Sequence, residues 1–310
     1  MRRRRESWYN IRMKRHLIVC WLLLPIAGSA VRAEEAEPHA EAIVRRVLAE
    51  VAKVRARDPL AVPMAFWDLD GTIIRGDSGF GLVEDGRVLY RGLIEGLILD
   101  GVNAIYGGEA DYRRWQRDYQ YMMSIGPWLS QSFNAQMYAG VEEARLDAAC
   151  RAVIERQRLP DWYFSSSMAI WKALAGAGVE NCVVSANAEA LIRNLAPTLG
   201  IPRERIRGVR VVSEGGRWTT KIRHPVPHGE GKTEAMLAMV QARPHGVAVA
   251  AFGNSYETDG LFLRHVATQT ALPGGARGTA VMINGGPARP GFSEHFVCVG
   301  QTNVIARVVR

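Results

Sequence analysis

Four short, continuously apolar runs, separated by stretches patterned as helices, constrain this chain more than any other feature. They are Met64-Ala65-Phe66-Trp67, Cys182-Val183-Val184, Val247 to Phe252, and Thr279-Ala280-Val281-Met282-Ile283. A strand that is apolar at every position has both faces buried, which is the habit of parallel sheets. Between them, helical patterning falls at about 168–175, 187–199, 231–242 and 256–266. The alternation predicts an α/β fold, a parallel sheet with helices on both faces. An earlier helix over 40–54 is marked by Ile43, Val44, Val47, Leu48, Val51 and Val54, and Asp58-Pro59 ends it. A hairpin is predicted where 208–212 meets 217–222 across Glu214-Gly215-Gly216.

Residues 78–165 break the alternation. They read as mostly helical and rich in Trp, Tyr and Phe, and so as a separate helical insert. Hydrophobic residues at 48% and charged residues at 23% predict a folded body rather than disorder.

The net charge of +8 would suit a nucleic-acid partner if it were spread over that body. It is not. Arg2, Arg3, Arg4, Arg5, Arg12, Lys14, Arg15 and Arg32, against Glu6, place +7 of it in residues 1–33. No basic stripe remains to ask for a polyanion, so no nucleic-acid partner is expected. The same segment reads as a secretory signal. A basic stretch ends in Met13-Lys14-Arg15-His16, an apolar run covers 17–27, and small residues lead to Val31-Arg32-Ala33 before Glu34-Glu35. Cleavage after residue 33 would leave a periplasmic or secreted protein with no stable membrane association. An uncleaved anchor is the alternative. Beyond residue 33, Cys150, Cys182 and Cys298 make neither a disulfide framework nor a zinc site. Cys182 and Cys298 lie in apolar runs and are expected to pack as small core residues.

Four polar elements carry the chemistry. Phe66-Trp67 ends in Asp68-Leu69-Asp70-Gly71-Thr72, two aspartates one residue apart at a strand end, where ligands of open α/β sheets gather. Carboxylates that close repel unless a cation joins them. Val183-Val184 ends in Ser185-Ala186-Asn187, where a hydroxyl could hold a phosphate oxygen beside a helix N-terminus, or simply cap that helix. Gly229-Glu230-Gly231-Lys232-Thr233 opens a helix. A P-loop would need glycine where Val226 stands, so Lys232 is read as solvated or facing bound anions. Phe252-Gly253-Asn254-Ser255 runs on to Asp259 and offers hard oxygen ligands from Asn254 and Asp259.

In chain order, these elements resemble the haloacid dehalogenase-like superfamily: D-x-D-G-T, a strand-end Ser, a Lys, then G-D/N-S-x-x-x-D. The resemblance spans 64–285. It implies a Rossmann-like α/β core of residues 34–77 and 166–310, with residues 78–165 as an α-helical cap like that of phosphoserine phosphatase-like members. The five-residue step from Asn254 to Asp259 and the signal segment resemble bacterial phosphorylcholine phosphatases.

The implied activity is that of a Mg²⁺-dependent phosphatase acting on a small phosphorylated substrate. By resemblance, Asp68 is the nucleophile and forms an aspartyl-phosphate, and Asp70 is the acid and base. Ser185, Thr72 and Asn187 would contact substrate, and Lys232 would hold phosphoryl oxygens. Mg²⁺ would be held by Asp68, the Asp70 carbonyl and a group of the last motif. The family's usual acid there is Asn254 here. Asp259 would either replace it as ligand or orient Lys232. Asp70 separates this chain from dehalogenating relatives, whose leaving group needs no proton. A phosphate-ester binding protein with weak turnover, or a phosphotransferase, is the alternative. Trp115, Tyr119 and Trp128 could form a cage for a quaternary ammonium, or pack the insert's own core.

Overall fold

The computed structural model describes residues 37–103, 105–270 and 272–305. The segment expected to be an export signal lies outside them. Helix α1 (Glu37–Arg57) leads into β1 (Val62–Trp67). A strand pair, β2 (Gly81–Glu84) and β3 (Arg87–Arg91), follows. Next come α2 (Leu93–Leu99), α3 (Glu109–Ile125), α4 (Pro127–Gln136) and α5 (Glu143–Gln157). Then α6 (Ser165–Gly176), β4 (Glu180–Ala188), short α7 (Glu189–Ile192) and α8 (Ala196–Leu199), and β5 (Ile206–Glu214) follow in order. The chain continues through β6 (Arg217–Arg223), α9 (Glu230–Ala242), β7 (Gly246–Gly253), α10 (Gly260–Thr268), β8 (Thr279–Ile283) and β9 (Val297–Val299).

Seven strands form one sheet in the order β6-β5-β4-β1-β7-β8-β9. Every neighbouring pair is parallel except β5 with β6. The continuous apolar runs have the predicted cause, since successive side chains alternate faces. Ala65 and Trp67 of β1 join a core with Val47, Val51 and Val54 of α1 and Leu174 of α6. Met64 and Phe66 join the opposite core, with Met236 of α9 and Phe262 and Leu263 of α10. Trp67 also fixes the strand ends. Its ring stacks on Phe252 of β7 with centroids 3.6 Å apart, and its Nε1 donates to Asn181 Oδ1 of β4 at 3.0 Å.

The structure departs from the sequence reading in four places. First, the segment after residue 78 opens with the β2–β3 hairpin rather than with helix. Its turn is Asp85-Gly86, both at positive φ, a dipeptide suited to tight hairpins. Second, the helix expected over 187–199 starts late. β4 runs on to Ala188, which pairs with Val209, and the remainder breaks into short helical pieces. Third, the helix expected from 256 starts at Gly260, because Ser255 to Thr258 form a loop around the Asp259 side chain. Fourth, Cys298 is exposed on the edge strand β9 and is no core residue, whereas Cys150 and Cys182 are buried thiols.

An ionic cluster binds α5 to the turns that follow β4. Asp147 accepts from Arg193 Nη2 and Arg203 Nη1, each at 2.9 Å, and from Asn194 Nδ2 at 3.0 Å. Burial pulls its pKa up, but hydrogen bonds from Asn194 and Arg203 and the charge of Arg193 together hold it below the ordinary value. A carboxylate lowered in this way stabilises above its unfolded pKa and loses that contribution as pH falls through the folded value. Asp147→Ala should cost roughly 3 kcal/mol in urea unfolding at pH 7, as for a broken buried pair. The gap to wild type should close below about pH 4, where the unfolded carboxyl takes up its proton. An unchanged midpoint at pH 7 would show that the cluster bears no load.

Candidate active site

β1 is flanked by β4 and β7, and all three run in the same direction. Their carboxyl ends therefore deliver Asp68, Ser185 and Asn254 to one edge of the sheet. Asp68 N donates to Phe252 O at 2.8 Å, which ties the end of β1 to β7. The chain then reverses in a tight turn, with Ile73 N and Ile74 N both donating to Leu69 O. Gly71 sits at φ +74°, and a Cβ there would lie 2.0 Å from Asn254 Nδ2. Only glycine meets both demands, the left-handed backbone and the close approach of the amide.

The centre of the site is a buried triad of charges. Lys232 Nζ donates to Asp68 Oδ1 at 2.6 Å and to Asp259 Oδ1 at 2.5 Å. Lys232 and Asp259 are fully buried and Asp68 nearly so. Lys232 is thus not solvated, and the anions it faces are the protein's own carboxylates. Asp259 Oδ2 accepts from Asn254 N at 2.8 Å and Ser255 N at 2.9 Å. Of the two readings for Asp259, the orienting one matches these bonds directly, since it holds Lys232 with one oxygen and the backbone of the Asn254 loop with the other.

Thr72, expected to touch substrate, is fully buried. Its hydroxyl donates to Asp68 Oδ2 at 3.1 Å and so holds that carboxylate in place. The Thr72 carbonyl accepts from Ser167 Oγ at 2.6 Å and from Gln301 Nε2 at 3.0 Å, so α6 and the C-terminal segment brace the turn.

Asp70 forms a second centre. Its carboxylate accepts from Ser78 N at 2.6 Å, Asn187 Nδ2 at 2.8 Å and Ser185 Oγ at 3.4 Å. Ser185 lies within β4, several residues before a helix of one turn, so the expected help from a helix N-terminus is not there. Sequence reasoning missed Asp77. Its Oδ1 accepts from Gly79 N at 2.7 Å and Phe80 N at 2.9 Å, and Asn187 Nδ2 reaches it at 3.4 Å. An Asp-Ser-Gly turn seven residues past Asp70 was the available signal.

Burial and the nearby charge of Asp259 raise Asp68 to about 7, against the pull of Lys232. Burial and the charge of Asp77 raise Asp70 to about 7, against hydrogen bonds from Ser78 and Asn187. Burial works to lower the Lys232 pKa, but Asp259 and Asp68 outweigh it and leave it raised. Four aspartates around one lysine leave the site short of positive charge.

Among the described residues, no cluster of three or more His, Cys, Asp or Glu side chains is arranged to hold a metal. Hard oxygens of the kind Mg²⁺ takes are present in these two loops, in the Asp68 carboxylate, the Asp70 carbonyl and the Asn254 amide, with the Nδ2 of Asn254 being the atom that faces Gly71. A divalent cation there would offset the charge deficit and draw the Asp68 pKa back down.

Trp115 and Tyr119 do not form an open cage with Trp128. They are buried and lie 5.6 Å and 5.0 Å from the ring of Phe80, while Trp128 is 60% exposed.

Residues 65–259 match the haloacid dehalogenase-like hydrolase family. The chain belongs to that family. The Asp68–Thr72 turn, Lys232 and the 254–259 loop all fall within the matched span. No curated protein matches the chain. Among solved structures it is similar to a protein of unknown function from Bordetella pertussis Tohama I. Identity is 16% over 73% of this chain and 92% of that one, with a TM-score of 0.55, which supports the fold. Fainter likenesses are to a HAD family hydrolase from Salmonella enterica serovar Typhi and to a phosphoserine phosphatase. The first shares 15% identity over 78% of this chain and 68% of that one, TM-score 0.46. The second shares 12% identity over 77% and 93%, TM-score 0.41.

Lys232→Met would leave Asp68 and Asp259 buried face to face without their cation. The change should lower stability at pH 7 by roughly 3–5 kcal/mol, the scale for stranding a buried charge. Much of the loss should return in mild acid as one carboxyl takes a proton. A variant as stable as wild type at both pH values would contradict the triad.

Proposed function

We propose that this hydrolase is a Mg²⁺-dependent phosphomonoesterase that works through an aspartyl-phosphate on Asp68. The observation that carries the reading is the way Asp68 is held. Lys232 and Thr72 fix both carboxylate oxygens at the end of the central strand, with the Asp70 carboxylate on the same turn. A nucleophile immobilised in this way needs no reorganisation to attack phosphorus in line.

In the first step Asp68 forms a bond to phosphorus, and the ester oxygen departs with a proton from Asp70. In the second, water attacks the acyl phosphate, gives a proton to Asp70, and phosphate leaves with Asp68 restored. Ser78 N and Asn187 Nδ2 aim Asp70 for both transfers. Mg²⁺, when bound at Asp68, the Asp70 carbonyl and Asn254, would neutralise phosphoryl charge and lessen its repulsion by the nucleophile. Lys232, bonded to Asp68 Oδ1, would add to that neutralisation.

The substrate we infer is a small ester with a cationic alcohol portion, phosphocholine among them. Asp77 supplies a half-buried carboxylate and Phe80 a half-exposed ring on the same turn. Residues 78–165, which bring the packed aromatics against Phe80, would serve as the cap over that substrate.

Hydrolysis of p-nitrophenyl phosphate should require Mg²⁺ and vanish with EDTA. Asp68→Asn should lower kcat by about three orders of magnitude or more, the scale for losing a nucleophile, with the circular dichroism spectrum unchanged. Phosphocholine should be turned over with higher kcat/KM than an uncharged alkyl phosphate. Full turnover by Asp68→Asn would sink the nucleophile assignment, and equal turnover of the two esters would sink the cationic substrate.

We also propose that the enzyme is exported, on the strength of the basic and apolar segment over residues 1–33. A periplasmic extract of expressing cells should yield a chain whose mass begins near Glu34. A full-length chain confined to membranes would contradict it.

A further inference from the structure

The β5–β6 hairpin carries charges that this chemistry does not use. Antiparallel register sets Arg210 directly opposite Arg223. Like charges in that position repel one another. Among the described residues neither guanidinium takes part in a salt bridge, although the neighbouring Arg205, Arg207 and Arg217 all do. Glu189, the nearby acid, is engaged elsewhere: it accepts from Arg207 Nη1 at 3.3 Å and Gly208 N at 3.0 Å.

Two buried donors point to the same deficit. Arg210 Nη2 reaches the His224 carbonyl at 3.3 Å, but Arg210 Nε has no acceptor. Trp218 is 8% exposed, and its Nε1 has no acceptor either. Buried N–H groups are nearly always satisfied, so two such groups beside an unpaired arginine couple mark a missing acceptor. Arg210, Trp218, Arg223, Ser213 and Glu189 line one cleft of about 270 Å³. That cleft adjoins the site. Glu189 stands two residues beyond Asn187, and a Cβ on Gly208 of β5 would lie 2.5 Å from the Asn187 carbonyl oxygen.

We propose that this cleft binds an oxyanion, the phosphate or carboxylate group of a small molecule, between Arg210 and Arg223 and apart from the phosphoryl position at Asp68. An oxyanion supplies both things the cleft lacks. Its charge relieves the arginine pair, and its lone pairs reach donors that nothing else satisfies. The planar fork of arginine suits two-point recognition of such groups. The volume suits the anionic group of a small molecule. The anion comes either from a second acidic group on a zwitterionic substrate, one that carries its cation as well and so is not phosphocholine itself, or from a free ion such as inorganic phosphate.

The Trp218 indole N–H is a direct reporter, assigned in a proton–nitrogen spectrum by its loss in Trp218→Phe. Titration with inorganic phosphate should move that resonance saturably. The Arg210→Gln/Arg223→Gln double variant should weaken the response about tenfold or more, as for loss of charge-assisted hydrogen bonds. This arm needs no turnover, so it stands whether or not the phosphatase reading holds. Removing the repulsion should leave the variant folded, and Arg223→Gln alone, at an exposed position, serves if it does not. Kinetics separate the sources. If the double variant raises KM for 3-phosphoglycerate but not for p-nitrophenyl phosphate, the anion belongs to the substrate. If both KM values hold while the phosphate response is lost, it is a free ion. Either result supports the cleft. A Trp218 resonance unmoved by phosphate and by 3-phosphoglycerate, or moved equally in the variant, would overturn it.

Discussion

Everything at this site hangs on one ammonium group shared by two buried carboxylates. Lys232 reaches Asp68 and Asp259 from the first turn of α9, and no water-exposed arrangement of the three would hold them so. A buried charge is tolerable only when paired and hydrogen-bonded, so each member requires the other two. The three come from the end of β1, the start of α9 and the loop after β7. The contact therefore fastens together three elements that are distant in the chain. It also reaches further, because the second oxygen of Asp259 shapes the loop that carries Asn254.

The sheet makes that meeting possible. β1 lies between β4 and β7, and parallel direction turns three strand ends into a single surface. The packing of Trp67 on Phe252, with its indole bonded to Asn181, keeps those ends level. The Asp68 group is thus placed by the core beneath it, and the polar turn above only aims it. Asp70 is placed differently, by donors from β4 and from the turn around Ser78. Asp68 and Asp70 are held by separate scaffolds.

The sequence made Asp68, Asp70, Ser185, Lys232 and the 254–259 loop legible, because each is a polar break in an apolar or periodic pattern. It did not make their partnerships legible. Lys232 is 164 residues from Asp68, and no local rule says that it is buried against that carboxylate. Asp77 escaped notice because its partners are backbone N–H groups of its own turn, which leave no periodicity. β4 extends past Ser185 because Ala188 pairs with Val209, a long-range ladder that outweighs the local helical pattern. The opposition of Arg210 and Arg223 is a matter of register, invisible until the hairpin is paired.

The brace on Thr72 makes a local turn depend on a distant stretch of chain. Gln301 grips the carbonyl of Thr72, and the chain around it is pinned where Ser165 N meets Asn303 O and Ile305 N meets Tyr163 O. The turn that carries the first motif is thus closed by residues more than two hundred positions further along the chain. Loosening of the 301–305 segment would release the Thr72 carbonyl and, with it, the hydroxyl that steadies Asp68.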